Sequence, residues 1–193
     1  MNSLNIYYCE MVAYIKGTNV FYVNFKCGYT TFENMRQADI IHHYNGYTRG
    51  KTIYLITRNP YKRLESFYRE KMLKNLTSAF DQFCQQKLLK FFPRERLVNK
   101  QVSFKEFIQA VAQGYSDEHI ALQSNITPSK PNHLLQLERG LSVLTPILGV
   151  NPDSFIGNTT ADVQVPLEWT EDMRMSINLL YAADFINLQY AML

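Results

Sequence analysis

The chain is short of the residues that would commit it to several chemistries. It carries only 3 cysteines and 4 histidines in 193 residues. Cys9, Cys27 and Cys84 are spaced neither like metal ligands nor like a disulfide framework, which predicts a reducing, cytoplasmic compartment. No His, Cys, Asp and Glu set has ligand spacing, so no metal is expected. No apolar run reaches the length of a membrane span, so none is expected. Residues Met1 to Glu10 lack a basic segment followed by an apolar one, so no secretory signal is expected. Repeats, low-complexity tracts and long linkers are missing too, which predicts one domain over residues 1–193.

Two familiar phosphate loops are also missing. A Walker A loop places its Lys directly after the second Gly. Here Lys26 precedes Gly28, so the ATPase pattern fails. A cysteine-dependent phosphatase loop starting at Cys27 would need Arg where Glu33 stands. Cys27 therefore reads as a small buried or loop thiol.

What is present begins with charge. Residues 1–105 carry 17 Lys and Arg against 7 Asp and Glu, a net +10; residues 106–193 carry 3 against 10, a net −7. A basic first half suits a polyanionic ligand. Its basic residues are scattered rather than clustered, which argues against nucleic acid as the partner. A hydrophobic content of 46% is enough for a sizeable core.

Two segments point to that anion. Val23-Asn24-Phe25-Lys26-Cys27-Gly28-Tyr29-Thr30-Thr31 is a strand-like run that breaks into a loop with a Lys, a Gly and two hydroxyls. A strand turning into a helix N-terminus presents unpaired N–H groups and partial positive charge. Gly28 lets the backbone approach an anion closely. The second segment runs from Ile53 through Thr57-Arg58-Asn59-Pro60 to Ser66-Phe67-Tyr68. Arg58 ends a strand, and ligands of open α/β sheets bind at such ends. Its guanidinium can fork two donors onto one phosphate. Ser66 lies two turns into the following helix, and Arg63 reads as a brace for the loop through an internal ion pair. Together the segments describe a grip on a nucleotide at two separate phosphates.

Patterning places these segments on elements. Val20–Asn24 and Thr52–Thr57 read as buried strands. Thr30 or Thr31 caps a helix running to about Arg36. Asn59 caps a second helix with Pro60 at its first position. Ser78–Phe91 reads as a helix, and Ser103 to Glu106 as a capping box. His133–Glu138 reads as a short strand, and Leu141–Leu148 as a short helix interrupted by Pro146. Thr170 opens a long C-terminal helix with acids in its first turn. The alternation predicts an α/β fold, a central and largely parallel sheet flanked by helices.

The residues resemble a known family. Lys26-Cys27-Gly28-Tyr29-Thr30-Thr31 is similar to the 5′-phosphosulfate loop of the PAPS-dependent sulfotransferases. Arg58-Asn59-Pro60 through Ser66 is similar to their 3′-phosphate motif, usually Arg-Asp-Pro followed by Arg and Ser. Weaker elements follow in order: Phe104 and Phe107, Asp117-Glu118-His119 with Gln123, His133–Glu138, and Tyr181 to Tyr190. The resemblance is nearest to the carbohydrate, Golgi-type branch and its bacterial relatives. Departures are Phe25 for Pro, Tyr29 for a small Ser, Asn59 for Asp, and Ile120 for an aromatic.

The resemblance implies a P-loop-like fold and sulfuryl transfer from PAPS, leaving PAP, to a hydroxyl or amine of a carbohydrate-like or small acceptor. It implies donor binding by Lys26, Cys27, Gly28, Tyr29, Thr30, Thr31, Arg58 and Ser66. Lys26 also stabilises the charge growing between phosphate and sulfate. A base must deprotonate the acceptor, and His suits neutral pH. His42, His43 and His119 are the candidates, with Glu33 as a carboxylate alternative. Two other classes stay open: a non-catalytic module that keeps the nucleotide fold, and a nucleotide-dependent phosphotransferase.

Overall fold

The structure, a computed structural model, describes residues 12–74, 86–125, 130–157 and 165–193. Cys9, Cys84 and most of the helix expected over Ser78–Phe91 lie outside these residues. Five strands form one sheet: β1 (Val12–Lys16), β2 (Asn19–Val23), β3 (His42–His43), β4 (Thr52–Thr57) and β5 (His133–Gln136), in the order β3-β1-β2-β4-β5. β2, β4 and β5 run parallel, whereas β1 is antiparallel to both β2 and β3. The sheet is therefore mixed, which corrects the expectation of a largely parallel one. The cause is a hairpin that the sequence reading passed over. Lys16 pairs with Asn19, leaving a two-residue loop in which Gly17 takes a left-handed φ of 58°. That conformation suits the tight turn joining two twisted strands.

The strands alternate as period two demands. Tyr14, Phe21, Val23, Tyr54 and Ile56 pack with Phe32 and Met35 of helix α1 (Tyr29–Gln37) on one face. Ala13, Val20, Tyr22, Ile53 and Leu55 cover the other face with Leu188. A third cluster lies beside the sheet. It joins α2 (Pro60–Phe67), α3 (Arg94–Val98), α4 (Phe104–Ala112), α6 (Glu171–Leu180) and α7 (Ala182–Asn187) through Leu64, Phe67, Phe107, Ile177 and Phe185.

Several boundaries differ from expectation for local reasons. Neither Thr30 nor Thr31 caps α1; Gly28 occupies the N-cap with φ 93°, and no side chain caps it. Asn59 caps α2 as expected, its Oδ1 accepting from the Tyr61 N–H at 3.0 Å, and the Ser103 capping box on α4 is complete. Pro146 does not interrupt a helix: a 3-10 turn, Ser142–Leu144, leads into α5 (Thr145–Leu148), and Pro146 sits in its first turn. The long C-terminal helix expected from Thr170 breaks at Tyr181 into α6 and α7, and Leu180 at the end of α6 is exposed. Among the described residues no helix is long and apolar enough to cross a membrane.

α2 runs without a break into a π-helical segment, Tyr68–Leu73, which buries Tyr68, Lys71 and Met72. The wider turn shifts side-chain phase relative to an α-helix, and such segments gather at functional sites. Here it places Glu70 and Lys71 beside the loop that follows β2.

Candidate functional site

The carboxyl ends of the adjacent parallel strands β2 and β4 open on one cavity of about 750 Å³. That volume suits a nucleotide-sized ligand. Lys26, Gly28, Tyr29, Thr30 and Thr31 line it from the loop and first turn after β2; Arg58 and Ser66 line it from β4 and α2. The two segments touch directly, since Arg58 Nη1 donates to the Lys26 carbonyl at 3.1 Å.

The loop after β2 is built around an unusual backbone. The Cys27 N–H donates to the Asn24 carbonyl at 3.1 Å, and Lys26 sits at φ 65°. A β-unbranched residue tolerates that region only where its surroundings impose it, at a cost of about 1–3 kcal/mol. Gly28 follows with its own left-handed φ, and the helix N–H donors of Tyr29, Thr30 and Thr31 come next. A Cβ at Gly28 would meet Leu137 Cδ1 at 3.4 Å, an ordinary contact. Backbone conformation rather than crowding therefore calls for glycine.

Lys26 is nearly buried, with its side chain 7% exposed, and it pairs with the Glu70 carboxylate. The same carboxylate reaches Lys71 Nζ at 3.1 Å. Burial pulls the Lys26 ammonium down to about 8, against the opposing pull of Glu70. Burial also lowers Arg58 from its usual value. The cavity thus gathers three cationic side chains, Lys26, Arg58 and Lys71, with four hydroxyls, Tyr29, Thr30, Thr31 and Ser66. Glu70, Glu138 and Asp153 line it as well. Among the described residues no cluster of His, Cys, Asp and Glu could hold a metal.

The remaining candidates separate. All four histidines are described, and only His119 lines the cavity. Its ring is buried against Phe25 and Phe67, and its Nδ1 lies 3.3 Å from Asp117 Oδ1. Burial would raise the Asp117 carboxyl, but hydrogen bonds from His119 and Tyr115 more than reverse this and hold it low. His42 and His43 form the exposed two-residue edge strand β3. His43 stacks on Tyr14 and stands 3.5 Å from Glu33. Glu33 accepts from the Tyr14 hydroxyl at 2.5 Å and from Arg36 Nε at 2.8 Å. None of these three residues lines the cavity. Cys27 is fully buried, its thiol pushed up to about 11 by burial, and it also lies off the cavity.

Two residues tie the site together: Gln123, which had no role from sequence, and Arg63, which was expected as a brace. Gln123 clamps the Arg58 peptide from both sides: its Oε1 accepts from the Arg58 N–H at 2.9 Å and its Nε2 donates to the Arg58 carbonyl at 2.7 Å. The Cys27 thiol donates to the same Oε1 at 3.0 Å. Asp184 in turn holds the Gln123 N–H at 2.9 Å and the Ser124 N–H at 2.7 Å. Arg63 is the second tie. It braces the loop, but through backbone carbonyls rather than the expected ion pair: Nε donates to Phe25 at 3.3 Å, Nη1 to Ala121, and Nη2 to Glu118 at 3.3 Å. For Gln123 the signal was its order after the phosphate segments, which gave no partner.

A family model described as the sulfotransferase family matches residues 15–137, a stretch that holds both strand ends, Gln123 and His119. The chain belongs to the sulfotransferase family. That stretch covers the whole sheet except its first three residues, and the cavity lining except the part between Glu138 and Gly157. No curated protein and no solved structure matches the chain significantly. Sulfuryl transfer is the chemistry of this family.

Proposed function

We propose that the chain transfers a sulfuryl group from PAPS to a hydroxyl or amine of a carbohydrate-like or small-molecule acceptor, releasing PAP. One observation carries the reading: two strand ends bearing Lys26 and Arg58 open on one nucleotide-sized cavity and are joined by the Arg58 to Lys26 hydrogen bond. The residues present suit a donor with two anionic ends. In this P-loop-like reading, Lys26, Gly28, Tyr29, Thr30 and Thr31 hold the 5′ end with helix N–H groups, hydroxyls and one ammonium. Arg58 and Ser66 hold the 3′-phosphate. The donor, when bound, supplies an activated sulfuryl group on a phosphate oxygen.

The chain's own groups then do three things. Lys26 Nζ places a positive charge, strengthened by burial, where negative charge develops. Arg58 and Ser66 fix register, which lowers the entropic barrier to attack. His119 takes the acceptor proton through Nε2, with Nδ1 steadied by Asp117. His119 is preferred over His42, His43 and Glu33 because it alone lines the cavity.

Calorimetric titration with PAP, beside ATP with Mg²⁺, tests the reading. Tight PAP binding that Arg58→Ala abolishes, with little ATP binding, is the expected outcome. A folded protein that ignores PAP would overturn it, and ATP binding would then favour a phosphotransferase.

A further inference from the structure

The cavity wall carries an anion of its own. Glu70 sits on the π-helical segment, 44 positions from Lys26, yet its carboxylate spans Lys26 Nζ on one oxygen and Lys71 Nζ on the other. All three side chains line the cavity, and their exposures are only 7%, 18% and 6% for Lys26, Glu70 and Lys71. A site meant for a polyanion gains nothing by placing a carboxylate among its cations, because like charges repel. We propose that Glu70 is a positioning residue: its carboxylate is the resident anion that holds Lys26 and Lys71 in the cavity and yields them to the anionic donor. The inference rests on the PAPS reading above for the identity of that donor.

The physical case has two parts. Two buried ammonium groups side by side repel each other and tend to lose protons. Glu70 opposes both. Its own carboxyl is held low: burial raises it, and the two lysines more than offset that. The groups facing Lys26 are Glu70, which favours its charged form, and Lys71 and Arg58, which oppose it. When donor anion arrives it replaces Glu70 as the partner of Lys26, so Lys26 stays paired in both states. The arrangement lowers affinity, since part of the site is occupied by its own carboxylate. In exchange, Lys26 is charged and aimed before the donor arrives.

Removing Glu70 therefore has two opposite consequences. At pH 6, where Lys26 is protonated with or without help, Glu70→Gln binds PAP about tenfold more tightly. Above neutrality that advantage fades toward parity, because without Glu70 the Lys26 ammonium titrates about one pH unit lower. Lys71→Met moves the same limb the other way, since Lys71 depresses Lys26. Glu70→Asp keeps the charge and restores a wild-type-like profile. A merely structural Glu70 would instead weaken binding at every pH.

The experiment pairs two readouts on the full chain. The first is the titration of the Lys26 ¹³Cε signal in ligand-free protein, assigned by its loss in Lys26→Met. The second is PAP affinity between pH 6 and 9. Both are measured in wild type, Glu70→Gln, Glu70→Asp and Lys71→Met, with folding checked by near-UV circular dichroism. A downward shift in Glu70→Gln, an upward one in Lys71→Met, and an affinity advantage of Glu70→Gln at pH 6 that is lost by pH 9 support the proposal. If Glu70→Gln does not fold, Lys71→Met decides: an unmoved Lys26 signal overturns the proposal. A wild type that binds PAP, with variants matching it at every pH, overturns the role of Glu70 alone. A wild type that binds no PAP overturns the donor reading and the inference with it, even where the ¹³Cε titration behaves as expected.

Discussion

The two strand ends that open on the cavity are held in different ways. The end of β4 is largely set by its own neighbours in sequence. Asn59 caps α2 through Tyr61 and Lys62, Pro60 fixes the first helical φ, and the Arg63 N–H closes the first turn on the Asn59 carbonyl at 2.9 Å. The end of β2 is set from a distance. Its left-handed Lys26 is surrounded by Arg63 on the Phe25 carbonyl, Gln123 on the Cys27 thiol, and Glu70 on the ammonium. A locally specified end tolerates change in the rest of the chain, whereas a remotely specified end fails with any of its supports.

The largest effect falls on the β2 end itself. Lys26→Met lowers sulfuryl transfer about a thousandfold, the scale expected for one buried charge aimed at a developing anion. Stability falls by only about 1 kcal/mol, because Lys71 still pairs with Glu70. Single-turnover kinetics beside urea unfolding separate the two. The small stability cost does not come from exposure, since Lys26 is nearly buried. Wild-type transfer should also decline as pH rises through about 8, where Lys26 loses its proton. A rate that stays flat to pH 9.5 would remove Lys26 from the chemistry.

The supports come next. Arg63→Met strands three carbonyls, on Phe25, Glu118 and Ala121, and costs about 3 kcal/mol in urea unfolding. Gln123→Leu releases both sides of the Arg58 peptide and the Cys27 thiol. It costs about 2 kcal/mol and weakens PAP about tenfold. Because Gln123 touches both strand ends, it is the sharpest test of the contrast. Loss of stability with unchanged PAP affinity would mean that the Arg58 end holds its geometry without remote help.

The same contrast explains what could be read from sequence. The β4 end was legible because N-cap, proline and apolar stripe act within a few residues of one another. The left-handed turn before α1 was legible only as a glycine; the cap fell on Gly28, since its φ of 93° leaves no threonine at the N-cap. The hairpin of β1 was not legible because a single glycine, Gly17, is the main turn signal between Val12–Lys16 and Asn19–Val23. Its omission made the sheet look parallel. The base candidates could not be ranked because rank depends on which loop returns to the cavity. His119 returns there, while His42 and His43 end on the sheet edge. Glu70, Gln123 and Arg63 act across 38 to 96 positions, a separation at which residue spacing carries no signal.

The smallest prediction concerns Asn59, where related motifs carry Asp. As a cap, Asp would serve α2 at least as well as Asn, since a carboxylate also favours the helix dipole. The structure supplies a reason for the neutral amide. Glu138 Oε1 accepts the Asn59 N–H at 2.8 Å, so a second carboxylate would stand close to the first. Glu138 is itself fixed by the Tyr190 hydroxyl at 3.2 Å and cannot simply turn away. Asn59→Asp should therefore cost about 0.5 kcal/mol despite its better dipole match, and Glu138→Gln should turn that cost into a gain. A double-mutant cycle on urea midpoints reads the coupling directly. Zero coupling would show that the cap alone decides, and that the β4 end is more local still; PAP affinity should change less than about twofold in Asn59→Asp, since the Arg58 peptide keeps both of its bonds to Gln123.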